Sequence, residues 1–436
     1  MLHNIDAEKI GPFGEPMAEA VRSCVHCGFC LAACPTYGEL GQELDTPRGR
    51  IVLMKEVLEG ALEVEDVLPH LDACLGCLAC EPACPSGVEY RNLISPFRAL
   101  ANETRSRSLG EKLRRFMVSQ TLPFAGRFRA AATLARFAKP FAGLMPKSMR
   151  PMMELLPSSL PARRKLQERY EASGKRRAVV ALLAGCAQRV LEPDINAATI
   201  EVLTRNGVEV LVPKAQACCG ALSWHGGDHW AAQEFARQNL EAFPEEVDAV
   251  ITNAAGCGSG MHEYPLILKG SDDEECAVEF AKKVVDVSVF LERLGDLEEI
   301  PDSGEEVTVA YHDACHLSNG QGVRGEPRRL LRMIPGLRLV ELRDAHLCCG
   351  SAGTYNIDQP EIASSLGEQK AKAVIESGAA VVASGNIGCL TQMKMHLEKL
   401  EVPVQVRHTV QILRDAWTGR PSRLRPRWDT GKKGSS

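Results

Sequence analysis

Two cysteine runs of identical spacing, fifty residues apart, constrain this chain more than any other feature of it. "CVHCGFCLAACP" begins at Cys24 and "CLGCLACEPACP" at Cys74, and each reads C-x2-C-x2-C-x3-C-P. The chain holds 17 cysteines in 436 residues. Its opening stretch, "MLHNIDAEKIGPFGEPM", lacks a basic region followed by an apolar one. The longest clean apolar run, "AVVALLAGCA", is far shorter than the ~20 residues that span a bilayer. The expectation is a cytoplasmic chain, where thiols stay reduced. Its cysteines are then ligands, reactive thiols or buried hydrophobes rather than disulfides. Eight lie in the two runs, eight form a second pattern, and Cys276 belongs to neither.

The spacing of the runs is that of two-cluster bacterial ferredoxins, in which the fourth cysteine serves the other cluster. Three thiolates two residues apart on a tight loop can cap three irons of one cubane. The fourth, displaced by one residue and turned by Pro35 or Pro85, points away. Cys24, Cys27, Cys30 and Cys84 are therefore expected to hold one [4Fe-4S] cluster, and Cys34, Cys74, Cys77 and Cys80 the other. Zinc takes four ligands, commonly as two separated C-x2-C pairs, and needs neither the third cysteine nor the proline. Iron-sulfur is the better reading.

Past residue 177 the chain repeats itself. "AVVALLAGCAQRV" around Cys186 matches "VTVAYHDACHLSN" around Cys315, and the Cys-Cys-Gly at Cys218 and Cys219 matches that at Cys348 and Cys349. Cys257 matches Cys389, and the offset stays between 129 and 132 residues. Two copies of one domain account for this. In each copy β-rich runs alternate with amphipathic helical stretches, which indicates a parallel sheet with both faces covered. Ligands gather at the carboxyl ends of such strands. Cys186, Cys218, Cys219 and Cys257 should meet there as a third metal site, and Cys315, Cys348, Cys349 and Cys389 as a fourth. Four thiolates suit zinc or a further [4Fe-4S] cluster on count alone. His312 and His316 flank Cys315, and His225 and His229 follow the first Cys-Cys-Gly, so each is either a neighbour of a site or a structural histidine.

Between these regions, residues 101–177 carry 18 Lys or Arg against 5 Asp or Glu, in a chain whose net charge is -5. Phe, Leu and Met recur there at helical spacing between arginines, and Pro123, Pro140, Pro146, Pro151, Pro157 and Pro161 cut the stretch into short helices. Such a connector either packs its apolar stripe and solvates its charges, or docks on an anionic membrane surface or an acidic partner. The modest overall charge argues against a nucleic-acid binder. The organisation expected is an α+β multidomain chain. It has a ferredoxin-like domain at 1–100, a basic helical connector at 101–177, Cys-Cys-Gly domains at 178–300 and 301–420, and a polar tail at 421–436.

"CVHCGFCLAACPTY", "DTPRGRIVLMKEV" at Asp45–Val57 and "CEPACPSGVEY", with the duplicated Cys-Cys-Gly motif, resemble the family of glycolate oxidase (glycolate dehydrogenase) iron-sulfur subunits. Lactate-utilisation, anaerobic glycerol-3-phosphate dehydrogenase and heterodisulfide reductase subunits belong to the same wider group. The resemblance implies that glycolate is oxidised on FAD in partner flavoprotein subunits. Electrons would then pass singly through two clusters here toward quinone or another acceptor, with peripheral membrane contact a further expectation. No residue of this chain is expected to be catalytic, since it shows no flavin or nicotinamide fingerprint. An equivalent subunit for D-lactate or glycerol 3-phosphate is the alternative, as is a disulfide reductase acting at the Cys-Cys-Gly sites. Against the last, the further cysteine that the motif can carry is Ala254 in one copy and Asn386 in the other.

Cys276 has no counterpart in the other repeat. Changing it to Ser should leave the iron content of the purified chain unaltered, and any loss of iron would show that the ligand sets are miscounted.

Overall fold

The computed structural model describes residues 3–138, 150–157 and 159–419. The breaks expected at Pro140 and Pro146 and the tail at 421–436 lie outside the described residues. Four helices, Gly14–Arg22, Pro47–Leu58, Val64–Asp72 and Arg91–Thr104, build the amino-terminal region. Their apolar stripes meet in one core, where Met17, Met54, Val67, Leu71, Leu93 and Phe97 are buried. Local signals set the helix starts. Thr46 caps the second helix by accepting from the Gly49 N–H at 3.0 Å, with Pro47 in the first turn.

In the connector, Ser108 and Glu111 form a reciprocal cap that opens helix Leu109–Thr121. Pro123 separates it from Ala125–Ala138, as expected of a residue that cannot continue the hydrogen-bond ladder.

Two parallel sheets follow. The first contains β1 (Arg169–Tyr170), β2 (Ala178–Leu182), β3 (Val208–Leu211), β4 (Ala249–Thr252) and β5 (Val284–Asp286), in the order β1-β3-β2-β4-β5. The second contains β6 (Val307–Tyr311), β7 (Leu337–Glu341), β8 (Val381–Ser384) and β9 (Gln405–His408), in the order β7-β6-β8-β9. The central pairings match: Val180 faces Val210 and Ala249, and Val309 faces Leu339 and Val381. Both copies thus wind their strands in one order, as a duplication requires. β4 and β8 are buried at every residue, so they read as continuous apolar runs rather than alternating ones. The first sheet has one addition, β1, which lies antiparallel to β3 and is supplied by the connector.

The cores cross the boundaries read from the sequence. One apolar cluster runs through both sheets, with Ile195 and Leu203 of the first copy and Val309, Leu413 and Trp417 of the second. The last helix, Thr409–Trp417, packs on Asp194–Arg205 of the first copy, and Val287–Leu294 packs on Glu326–Arg332 of the second. A second cluster joins the amino-terminal helices to the other face of the first sheet through Ala181, Leu183, Trp224 and Met261. The sheets and the amino-terminal helices therefore share their interior.

Arg414 holds the exchanged helix. Its guanidinium meets both Asp194 carboxylate oxygens at 2.9 Å and Asp415, which is fully buried, at 2.8 Å. Arg414→Met should lower unfolding stability by about 3 kcal/mol, because it strips a buried carboxylate of a partner. Asp194→Asn should cost less, since Arg414 keeps Asp415. Denaturant midpoints of the two variants test the order.

Candidate metal centres

Each cysteine run begins just past a helix end, after Arg22 and after Asp72, where the chain turns back on itself. The turns use left-handed residues, His26 (φ 56°) and Gly28 (φ 85°) in one run, Gly76 (φ 62°) and Leu78 (φ 57°) in the other. A non-glycine residue rarely adopts this conformation, so His26 and Leu78 mark tightly constrained loops. Cys24, Cys27, Cys30 and Cys84 line one small pocket, together with Cys80. On the other side, burial pushes the Cys77 and Cys80 thiols well up, and the nearby Cys74 and Cys34 sulfurs push them further. Cys84 thus lines the same pocket as the first three cysteines of the first run, and Cys34 lies near Cys77 and Cys80 of the second.

The surroundings suit a thiolate-bound group. The Gly76 N–H points at Cys74 Sγ at 3.4 Å, and Thr36 and Ser86 hydroxyls lie 3.3 Å from Cys34 and Cys84. Arg50, only 1% exposed, reaches toward Cys34 Sγ at 3.8 Å while bonding the His70 carbonyl and Thr36. It brings positive charge into a dry interior beside sulfurs that would carry negative charge. Iron held by four thiolates fits such a donor set.

In the repeats the cysteines lie just past the strand ends. Cys186 follows β2, Cys218 and Cys219 follow β3, and Cys257 sits in helix Ala255–His262 after β4. Cys186 and Cys218 sulfurs are 3.5 Å apart. Cys315, Cys348, Cys349 and Cys389 take the same places around β6, β7 and β8. Gly350 has φ 82°, and a Cβ there would come within 2.5 Å of the Ala363 carbonyl oxygen, so the Cys-Cys-Gly turn can press against its helix only as glycine. Cys276 is exposed on helix Glu274–Lys283, apart from both sets.

Both sets face one cavity of about 570 Å³. Its wall carries Cys186, Cys219 and Cys257 from the first copy, Cys315, Cys348, Cys349 and Cys389 from the second, and Cys74 from the second run. The connector roofs the far end with Met117, Val118, Leu122, Phe128 and Met153. The copies also touch directly: the Ala255 N–H donates to the Gly385 carbonyl at 3.0 Å and the Gly256 N–H to Asn386 Oδ1 at 3.3 Å.

The second run is fastened to the second copy. Tyr355 OH donates to the Ala73 carbonyl at 2.8 Å, Asn319 Nδ2 to the Cys77 carbonyl at 3.1 Å, and Arg91 Nη1 to the Gly320 carbonyl at 2.9 Å. Arg98 spans from the Cys74 carbonyl (2.6 Å) to that of His225 (3.1 Å). None of these ties carries a sequence signal, because the partners stand up to 282 residues apart.

Of the histidines, His229 is structural, its Nε2 2.8 Å from the Ile267 carbonyl. His225 and His316 stack at 5.0 Å on the cavity wall. Glu263, which sequence reading missed, lies 3.3 Å from His225 Nε2 and accepts from Trp224 Nε1 at 2.6 Å. Burial sets His316 down to about 3, aided by the neighbouring His225 charge. Burial alone would raise Glu263, but His225, His316 and Arg91 outweigh it and hold the carboxyl below its ordinary value of 4.5. A depressed carboxyl stabilises the fold above its unfolded value, and that stability drains away as pH falls through the folded one. Glu263→Gln should therefore flatten the acid limb of the stability profile below about pH 4.5, as read from denaturant midpoints across that range.

Comparison with known proteins agrees with this layout. A 4Fe-4S dicluster domain matches residues 20–88, and a cysteine-rich domain matches twice, at 180–262 and 309–394. The chain is 38% identical over 427 residues to the probable glycolate oxidase iron-sulfur subunit of Bacillus subtilis, covering 93% of this chain and 96% of that one. It is 37% identical over 404 residues to the glycolate oxidase iron-sulfur subunit of Escherichia coli, covering 91% and 94%. Lactate utilization protein A of Bacillus cytotoxicus is 32% identical over 237 residues, 54% of this chain and 98% of that protein.

Proposed function

We propose that this chain, which belongs to the family of glycolate oxidase iron-sulfur subunits, receives electrons from glycolate oxidised on a flavoprotein partner and hands them on singly. Cys24, Cys27, Cys30 and Cys84 hold one [4Fe-4S] cluster in this reading, and Cys34, Cys74, Cys77 and Cys80 the other. When bound, such clusters take up and release one electron at a time with little rearrangement. Arg50 supplies positive charge beside Cys34, the hydroxyls of Thr36 and Ser86 can donate to the Cys34 and Cys84 sulfurs, and the buried helices behind them exclude water. Cys186, Cys218, Cys219 and Cys257, and separately Cys315, Cys348, Cys349 and Cys389, hold further iron-sulfur or zinc centres. FAD belongs to the partner in this reading, because a hydroxyacid gives up its two electrons together as a hydride, which a one-electron iron centre cannot accept.

Entry is supported at the first run. Cys27 is exposed there, flanked by Val25 (66% exposed) and Phe29 (69%), an apolar rim suited to a docked flavoprotein. On the exit side, the apolar end of the cavity beneath the connector has the size and lining for a quinone headgroup. Leu109, Leu113 and Phe116 stand exposed on one face of helix Leu109–Thr121, and Leu134 and Phe137 on helix Ala125–Ala138. Apolar side chains among so many arginines support a peripheral seat on an anionic membrane face, through which a lipophilic acceptor would arrive. No helix of the described residues is long and apolar enough to cross a membrane.

The observation that carries the reading is the set of bonds from the second run into the second copy, beside an exposed first run. It gives a path with an outer and an inner end. In the assembled complex, Cys27→Ser and Cys77→Ser should abolish quinone reduction by glycolate while flavin bleaching by glycolate persists. Quinone reduction at the normal rate in both variants would sink the relay.

A further inference from the structure

The two Cys-Cys-Gly sites share one frame, and a single position beside them breaks the symmetry. β2 and β6 are both five residues long, and the next residue is Leu183 in one copy and His312 in the other. The two make the same backbone bond. Leu183 N–H donates to the Ile251 carbonyl at 3.0 Å, and His312 N–H to the Ala383 carbonyl at 2.9 Å. Both side chains are buried, at 2% and 1% exposure. Leucine in this place needs no partner. Imidazole does, having one N–H and one lone pair in its neutral form.

His312 finds no hydrogen-bond partner for either ring nitrogen. Instead, a ring nitrogen of His312 and the sulfurs of Cys349 and Cys389 all lie within 4.8 Å of one another. Ligands of one metal ion converge this closely: bonds of about 2.0 Å to nitrogen and 2.3 Å to sulfur place tetrahedral ligand atoms roughly 3.5–4 Å apart. A second difference points the same way. Asn386 donates from Nδ2 to Cys389 Sγ at 3.4 Å, which steadies that sulfur, whereas Ala254 at the matching place in the first copy can donate nothing from its side chain.

We propose that His312 is a metal ligand, so that the second Cys-Cys-Gly site is a mixed imidazole-thiolate centre and the first an all-thiolate one. This rests on the reading above that the Cys-Cys-Gly sets hold metal. The metal is a borderline acid that accepts both nitrogen and sulfur, either zinc or the iron of a cluster. Where imidazole takes the place of a thiolate on iron, the ligand set loses a negative charge, which raises the potential relative to an all-thiolate site. The two halves of the duplication would then differ in affinity and potential though their folds coincide.

The test uses the full chain purified without oxygen, with iron and zinc counted per chain. His312→Leu installs the residue with which the first copy already folds, and His312→Cys returns a soft ligand. Expected is loss of the second site's metal in His312→Leu, to the level of Cys389→Ser, and its retention in His312→Cys. A nitrogen signature (14N hyperfine coupling if iron, a light-atom shell near 2.0 Å by X-ray absorption if zinc) should be present in the native chain and absent from His312→Cys. Native metal content in His312→Leu, or a nitrogen signature that persists in His312→Cys, overturns the assignment. Should Cys389→Ser also retain all metal, the metal reading of this site falls, and the ligand with it.

Discussion

A thiolate cannot be taken out of water without a positive charge to meet it, and this chain buries eight of its cysteines. Much of the structure around them answers that constraint. Arg50 is driven into the core beside Cys34, although a buried guanidinium is itself costly. It repays the cost by bonding a carbonyl, a hydroxyl and the neighbourhood of Asp45 at once. Lys370, 4% exposed near the second Cys-Cys-Gly, bonds the Asp344 carbonyl at 2.6 Å. Protein cations alone do not balance so many sulfurs as thiolates, and in the proposed reading bound metal supplies the remaining positive charge.

The same constraint explains why the regions share their cores. A site that must stay dry has to be covered on every side, and no single region here is large enough to do so. The second run is covered by the second copy through Leu75, Tyr355 and Leu366. The cavity between the copies is covered by the connector, whose inner face supplies Met117, Val118 and Leu122. Arg129 shows what this asks of a basic stretch: its guanidinium bonds the Pro161 carbonyl at 3.0 Å and the Val190 carbonyl at 3.4 Å. Charge that looks like a solvated face in sequence is partly a set of clamps holding a lid.

Legibility divides along sequence distance. The cysteine sets were readable because ligand spacing is local, and the duplication because strand, loop and cysteine recur in one order. The parallel sheets followed from alternation of β-rich and helical runs. What stayed hidden depends on contacts between distant residues. β1 has two residues and too little pattern to detect, and it exists because β3 offers an edge. Glu263 is one acid among 56 Asp and Glu, and only the fold brings it to Trp224 and His225. His312 was visible beside Cys315, but its orphaned nitrogens were not, because they depend on what the chain fails to place nearby.

Duplication within one chain also permits what a symmetric pair of identical subunits cannot. Two identical chains must carry the same residue at both sites, so a change that suits one imposes itself on the other. Here the frame is held in common by the matched strand order and by backbone bonds such as those of Leu183 and His312. The linings drift apart on it. Leu183 and His312, Ala254 and Asn386, and Asn239 with Lys370, 131 residues later, are pairs of unlike chemistry at like positions. Each substitution lies at the strand ends or on the helix behind them, and the shared core residues do not have to move. On the proposed reading the two sites hold unlike centres, and a fused repeat can make them so without giving up the fold that positions them.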